Sequence, residues 1–181
     1  SSSFKFELTS ADEISIPVSN ASSGFIDQKS TALINSLFTT STSHLEPVSG
    51  LKSMNFFRGL GTYFDKVQRM RKLGGLISDE LLISKEKVEL SATICKVDLL
   101  SEIVGEFPEL QGVMGGYFAN AQGFDKDLAL AISEQYLPTG SGSRVPKKPF
   151  SIALSLADKI DTLVGFFGLN QKPTSSKDPY A

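Results

Sequence analysis

Lys66, Arg69, Lys96, Asp98, Glu102, Asp158 and Asp161 are the side chains whose types and spacing could do chemistry. Asp98 and Glu102 are four residues apart, Lys66 and Arg69 three apart, Asp158 and Asp161 three apart, so each pair would share a helix face. Carboxylates held side by side can grip a cation or move a proton, whereas carboxylates beside lysines form ion pairs. Asp158 and Lys159 interrupt an otherwise apolar run from Ile152 to Phe167. Asp158 is therefore expected to face inward and to need a cation there, with Lys66, Arg69 and Lys96 as candidates. Two readings stay open: an ion-pair network that fixes how helices pack, and a ligand site. The network is preferred.

Other chemistries lack their parts. The one histidine, His44, lies in a Ser/Thr loop over residues 39–44, and a hydrolytic triad needs a base that the fold positions. Zinc sites need several His and Cys ligands, and His44 and Cys95 are about fifty residues apart. Cys95 lies among apolar residues and reads as a small core residue, because reactive thiols need an electropositive, accessible niche. No glycine-rich stretch has the spacing of a phosphate-binding loop after a strand. No metal ligand set and no self-contained hydrolase chemistry are expected.

The 181 residues suit one domain of ordinary size, with 40% hydrophobic residues to fill a core. Thirteen phenylalanines and no tryptophan predict a Phe-rich core. No apolar run approaches the roughly 18 residues of a membrane span, and the first residues lack the apolar stretch of a signal peptide. A single cysteine fits a reducing compartment, so the expected location is the cytoplasm, or an organelle stroma for a plastid protein. The missing initiator Met and the abrupt end at Ala181 suggest a piece of a longer chain. The net charge of −2 excludes a strongly basic nucleic-acid-binding domain. Locally, though, residues 51–73 carry Lys52, Arg58, Lys66, Arg69, Arg71 and Lys72 against Asp65 alone.

The elements that must position these residues read as mainly α. Residues 4–8 and 14–18 alternate as half-buried strands do and would form a short N-terminal hairpin. A helical turn or two is expected over residues 31–38. Leu51, Met54, Phe57, Leu60, Phe64, Val67 and Met70 predict a helix loosened at Gly59 and Gly61 and ended by Gly74-Gly75. A second helix should run from Ser84 or Lys85 to Val104. Phe107-Pro108 then makes a corner, since the residue before proline leaves the α region; Glu106 and Glu109 flank it, at the negatively favoured start of a helix from Pro108 to about Gln122. Asp125 should cap a short helix through Tyr136, a linker fills residues 138–149, and an apolar helix spans Phe150–Phe167. The glycines at 105, 112, 115 and 116 suggest close approach of another backbone or a ligand.

Several of these stretches resemble one family in a single order. They are Leu60-Gly-Thr-Tyr-Phe-Asp-Lys-Val-Gln-Arg69, Lys96-Val-Asp-Leu99, Glu106-Phe-Pro-Glu-Leu-Gln-Gly-Val-Met-Gly115 with Tyr117, Glu134-Gln-Tyr-Leu-Pro138, Ala157-Asp-Lys-Ile-Asp-Thr-Leu-Val-Gly165 and Pro173-Thr-Ser-Ser-Lys-Asp-Pro179. Together they resemble the beta subunit of bacterial glycyl-tRNA synthetase over about 120 residues. Residues 1–50 add only Gly24-Phe-Ile-Asp27.

The resemblance implies an HD-domain-like helical bundle over residues 27–169, with residues 1–26 as a strand-containing remnant of a neighbour or a flap and 170–181 as an irregular tail. HD phosphohydrolases hold a metal with a His, a His-Asp pair and a later Asp. The pair position looks like Val97-Asp98, the later Asp looks like Asp158, and the first position, near Leu60-Gly61, has no histidine. That implies a degenerate site converted to ion pairs. The implied role is a non-catalytic module of a glycine–tRNA ligase, contacting glycine tRNA or the alpha subunit, with Arg71, Lys72 and Lys52 facing the tRNA. ATP and magnesium are implied for the complete enzyme and no cofactor for this stretch. A metal-dependent phosphohydrolase is the disfavoured alternative. A purely structural spacer is the other, in which Phe107 would matter only as a buried core residue.

Overall fold

A computed structural model describes residues 45–171. The strands expected at 4–8 and 14–18, the helical turn at 31–38, His44 and the tail from 172 lie outside the described residues. What is described is mainly helical: α1 (Leu45–Gly50), α2 (Tyr63–Leu81), α3 (Lys85–Ile94), α4 (Glu102–Glu106), α5 (Val113–Ala121), α6 (Lys126–Glu134) and α7 (Pro149–Gly168), joined in places by short 3-10 turns. Two strands, β1 (Asn55–Phe57) and β2 (Gly61–Thr62), pair antiparallel ahead of α2. Helix α2 packs between α3 and α7, and α6 joins α7 to α5.

The hairpin replaces the first half of a helix expected from Leu51. Gly59 and Gly61 have φ of +93° and +80°, a conformation open to glycine and costly for other residues, so the chain reverses there. Only a 3-10 turn at Leu51–Ser53 remains of the expected helical segment. Phe56 then stacks edge-on with Tyr63 at 5.4 Å, and Phe57 with Phe166 of α7 at 4.8 Å.

Helix α2 starts in a capping box. Asp65 N–H donates to Thr62 Oγ1 at 3.2 Å, and Thr62 N–H donates to Asp65 Oδ2 at 2.8 Å. It does not stop at Gly74-Gly75 as expected but runs on to Leu81. Both glycines are buried where α3 crosses. A Cβ on Gly74 would lie 2.8 Å from Val88 Cγ1, and one on Gly75 2.9 Å from Glu89 Oε1. Close helix contact offsets a propensity penalty of about 1 kcal/mol per glycine.

The helix expected from residue 85 to Val104 is interrupted. α3 ends at Ile94, Lys96 leaves helical geometry (φ −106°, ψ 4°), and a 3-10 turn covers Val97–Leu100 before Ser101 caps α4. Cys95, Lys96, Val97 and Asp98 are all buried, and no single face of a continuous helix can bury four successive side chains. The second interruption is at Gly112. Its φ of +79° separates the 3-10 turn Pro108–Leu110 from α5, where one helix over 108–122 was expected. Phe107 sits at the corner as a proline-preceding residue should, but it is 48% exposed. The side chain points to solvent, because the turn that Pro108 imposes carries Glu106, Phe107 and Glu109 outward together. Phe107 is not a core residue.

Elsewhere local signals hold. Asp125 Oδ1 accepts the N–H groups of Asp127 and Leu128 and caps α6, and α7 matches the expected last helix to within a residue at each end. The core contains Leu51, Val67, Met70, Ala92, Val97, Ile132 and Leu154. It is aliphatic rather than Phe-rich: among the described phenylalanines only Phe118 and Phe166 are buried, and the others lie at its edge or outside. Gly116 lets α5 approach α6 so closely that a Cβ would stand 2.7 Å from Ala129 O.

Candidate functional site

The site grows from two helices that face each other. On α2, Lys66 and Arg69 project toward α7; on α7, Asp158, Asp161 and Thr162 project back. Lys66 Nζ lies 3.1 Å from Asp158 Oδ1 and 3.1 Å from Asp161 Oδ2, and donates to Thr162 Oγ1 at 2.9 Å. The Phe56 ring covers it at 4.5 Å. Arg69 adds a two-pronged contact to Asp161: Nε donates to Oδ1 and Nη2 donates to Oδ2, while Nη1 donates to Leu60 O at 3.0 Å. Lys96 arrives from the break after α3. Its Nζ lies 3.0 Å from Asp158 Oδ1 and 3.9 Å from the centre of the Tyr136 ring.

Lys66, Lys96, Asp158 and Asp161 are all buried, so each charge depends on its neighbours. Burial alone would push the Asp158 carboxyl up, but Lys96 and Lys66 outweigh it and hold the group below the usual carboxylate range. Burial likewise opposes the Lys96 charge, and Asp158 overrides it, holding the amine above the usual lysine range. Burial pushes the adjacent Cys95 thiol up to about 12. Its Sγ rests on Ala92 O, and the thiol is unreactive at neutral pH.

Asp98, grouped with these residues on sequence grounds, is placed differently. Its Oδ2 accepts the Gly112 N–H at 2.6 Å, at the start of α5. Its Oδ1 is buried without a hydrogen-bond partner, and the residue lines a cavity of about 20 Å³ with Ile94, Val97, Gly115, Phe118 and Ile132. Burial holds this carboxyl above the usual range, against the pull of the Gly112 N–H and of Lys96. Its expected i,i+4 companion, Glu102, is exposed on α4, because the chain breaks between them.

The expected tRNA-facing residues do not form one cluster with the buried charges. Arg71 Nε donates to Glu89 Oε2 at 3.0 Å on the α3 side. Lys72 is exposed beside it, and Lys52 lies 4.8 Å above the Phe64 ring. Three participants went unrecognised in the sequence. Tyr136 roofs Lys96, Thr162 shares Lys66, and the fully buried Gln135 donates from Nε2 to Cys95 O at 2.7 Å, tying the end of α6 to the break after α3. Their one signal is membership of the quoted stretches: Gln135 and Tyr136 lie in Glu-Gln-Tyr-Leu-Pro, and Thr162 lies in Ala-Asp-Lys-Ile-Asp-Thr-Leu-Val-Gly.

Two ammonium groups converge on Asp158 Oδ1, and a metal bound there would have to displace both. Among the described residues no three His, Cys, Asp or Glu side chains are grouped to hold a metal ion. The arrangement can fix the α2–α7 crossing and the break after α3. It has no free nucleophile and no base open to a substrate. No helix among the described residues is long and apolar enough to cross a membrane.

The chain is thus a mainly helical module locked by buried charges, and its sequence matches a known family. The model of the glycyl-tRNA synthetase beta subunit family matches residues 40–181. The glycine–tRNA ligase beta subunit of Stutzerimonas stutzeri is 47% identical over 131 residues, covering 72% of this chain and 19% of the relative. Those of Pseudomonas syringae pv. syringae and Rhodospirillum centenum are 46% and 44% identical, with the same coverage. The chain belongs to the glycyl-tRNA synthetase beta subunit family, and it spans about a fifth of the length of the curated relatives it matches.

Proposed function

We propose that residues 27–169 form a non-catalytic, HD-like module that supports ATP-dependent glycylation of tRNA, by contacting glycine tRNA or holding the alpha subunit. The observation that carries the non-catalytic half is the pair of lysines on Asp158: charge at the HD-type position is balanced from within the chain. ATP and magnesium would act in the complete enzyme, in the cytoplasm or a plastid stroma. Lys52, Arg71 and Lys72 are the residues assigned to tRNA phosphate.

Backbone–phosphate contact predicts a steep fall in affinity with salt. In the complete enzyme, Lys52→Glu with Lys72→Glu should weaken glycine tRNA binding and flatten its salt dependence. Unchanged binding with an unchanged salt slope would remove the tRNA contact. A second reading, a structural spacer, draws support from the Arg71–Glu89 pair, which already occupies that guanidinium. Glycylation that withstands both charge reversals would favour it. An HD phosphohydrolase would require the purified chain to carry a stoichiometric transition metal.

A further inference from the structure

The segment between Asp98 and Gly112 is an arm closed at its base. Asp98 Oδ2 accepts the Gly112 N–H across it, and Ser101 Oγ donates to Asp98 O at 2.6 Å. Within the arm, α4 packs chiefly on the 3-10 turns either side of it, Val97–Leu100 and Pro108–Leu110. Phe107 stands between α4 and the second turn, its side chain 48% exposed. Its backbone is held from both sides: the Phe107 N–H donates to Ile103 O at 2.9 Å, and Phe107 O accepts the Leu110 N–H at 3.0 Å. The ring is therefore presented to solvent from a fixed position. Two residues earlier, Gly105 sits in a helix with nothing within 4 Å of where a Cβ would be. No contact among the described residues requires a glycine there, and bare backbone lets another surface come close.

The charge of the arm selects its partner. Residues 97–125 contain Asp98, Glu102, Glu106, Glu109 and Asp125 and no lysine or arginine. Glu106 and Glu109, which flank Phe107-Pro108, are exposed and form no ion pair among the described residues. Such a surface repels nucleic-acid phosphate and attracts a basic one. We infer that Phe107 docks into an apolar slot rimmed by lysine or arginine on the alpha subunit. This deepens the assembly half of the function proposed above and rests on it. An exposed aromatic anchor within a charged rim is the anatomy of a contact between separately folded partners, whereas permanent interfaces are more apolar throughout. Backbone fixed before contact also lowers the ordering cost of docking.

The test is hydroxyl-radical footprinting of the unmodified full-length beta subunit alone, with saturating alpha subunit, and with glycine tRNA. Phe107 should be oxidised freely in the first and third samples and several-fold more slowly with the alpha subunit. Phe107→Ala should weaken alpha-subunit binding about tenfold or more, the size expected of an anchor residue, while the beta subunit melts as before. Glu106→Lys with Glu109→Lys should weaken binding less, by a factor that shrinks as salt is raised. Protection in the beta subunit alone would make the occupant the same chain or a second copy, and protection by tRNA alone would make it RNA. Either result overturns the inference, as does undiminished affinity in Phe107→Ala. If the alpha subunit protects other residues between 45 and 171 but not Phe107, the inference falls and the assembly reading stands. If it protects none of them, the assembly reading falls as well.

Discussion

Lys96 Nζ lies 3.0 Å from Asp158 Oδ1, and both groups are buried. The contact joins the break after α3 to the middle of α7, 62 residues later in the numbering (158 − 96). Because Lys66 reaches the same oxygen from α2, one carboxylate oxygen fixes three segments at once.

Removing a partner from such a set leaves an uncompensated buried charge, which typically costs about 3–5 kcal/mol. Lys96→Met should destabilise by about 3 kcal/mol in chemical denaturation, because Lys66 remains on Asp158. Adding Asp158→Asn to it should cost less than the sum of the single losses, by about 1–3 kcal/mol. Strict additivity would show that the pair is not coupled.

The two buried aspartates should respond to pH in opposite senses. The Asp158 carboxyl is depressed in the fold, so its stabilisation is complete above the unfolded value of about 3.9 and drains as pH falls through the lower folded value. The Asp98 carboxyl is raised; what it contributes is present below about 3.9 and is lost as pH rises through the higher folded value. Asp158→Asn should therefore remove part of the acid destabilisation below about pH 4 and cost about 3 kcal/mol at neutral pH. Asp98→Asn should cost at most about 1 kcal/mol there and weaken the loss of stability above pH 4. Unfolding free energies measured from pH 2 to 8 decide it.

Glycines that look equivalent in the sequence should diverge. Gly105→Ala, in α4 with nothing within 4 Å of its new Cβ, should stabilise by about 0.5–1 kcal/mol. Gly74→Ala gains a similar propensity but drives a methyl to 2.8 Å from Val88 Cγ1, and overpacking of this kind costs about 1–3 kcal/mol. Combining Gly74→Ala with Val88→Ala should relieve that overlap, although it leaves its own cavity. Thermal unfolding of the three variants orders them.

Phe107→Ala and Phe118→Ala separate an exposed aromatic from a buried one. Phe118, 3% exposed, should cost about 3–5 kcal/mol on truncation, and Phe107, nearly half exposed, about 1 kcal/mol or less. Equal losses would place Phe107 in the core after all.

The residues of the charged site were partly visible beforehand. Lys66 with Arg69, and Asp158 with Asp161, sit at helical spacing on helices that do form, and an aspartate inside an apolar run has to find a cation. Which cation it finds was not visible, because Lys96 reaches Asp158 only after α3 breaks. Asp98 was grouped with these residues by its helical spacing from Glu102 and by the resemblance that pairs it with Asp158. Its actual partner is a backbone N–H at Gly112, and that depends on a positive φ with no side-chain signature.

Local physics, legible in the residues, determined the cap at Asp125, the bend at Phe107-Pro108, the period of α7 and the mainly helical class, since each depends on neighbours within a few positions. Tertiary structure decided the rest. It ended α3 at Ile94 so that Cys95 to Asp98 could all be buried, carried α2 through two glycines because α3 needed to approach, turned a would-be helix into a hairpin against α7, and placed the phenylalanines outside an aliphatic core. Each of those choices is made by contacts between segments far apart in the chain, which outweigh propensities of about a kilocalorie per residue.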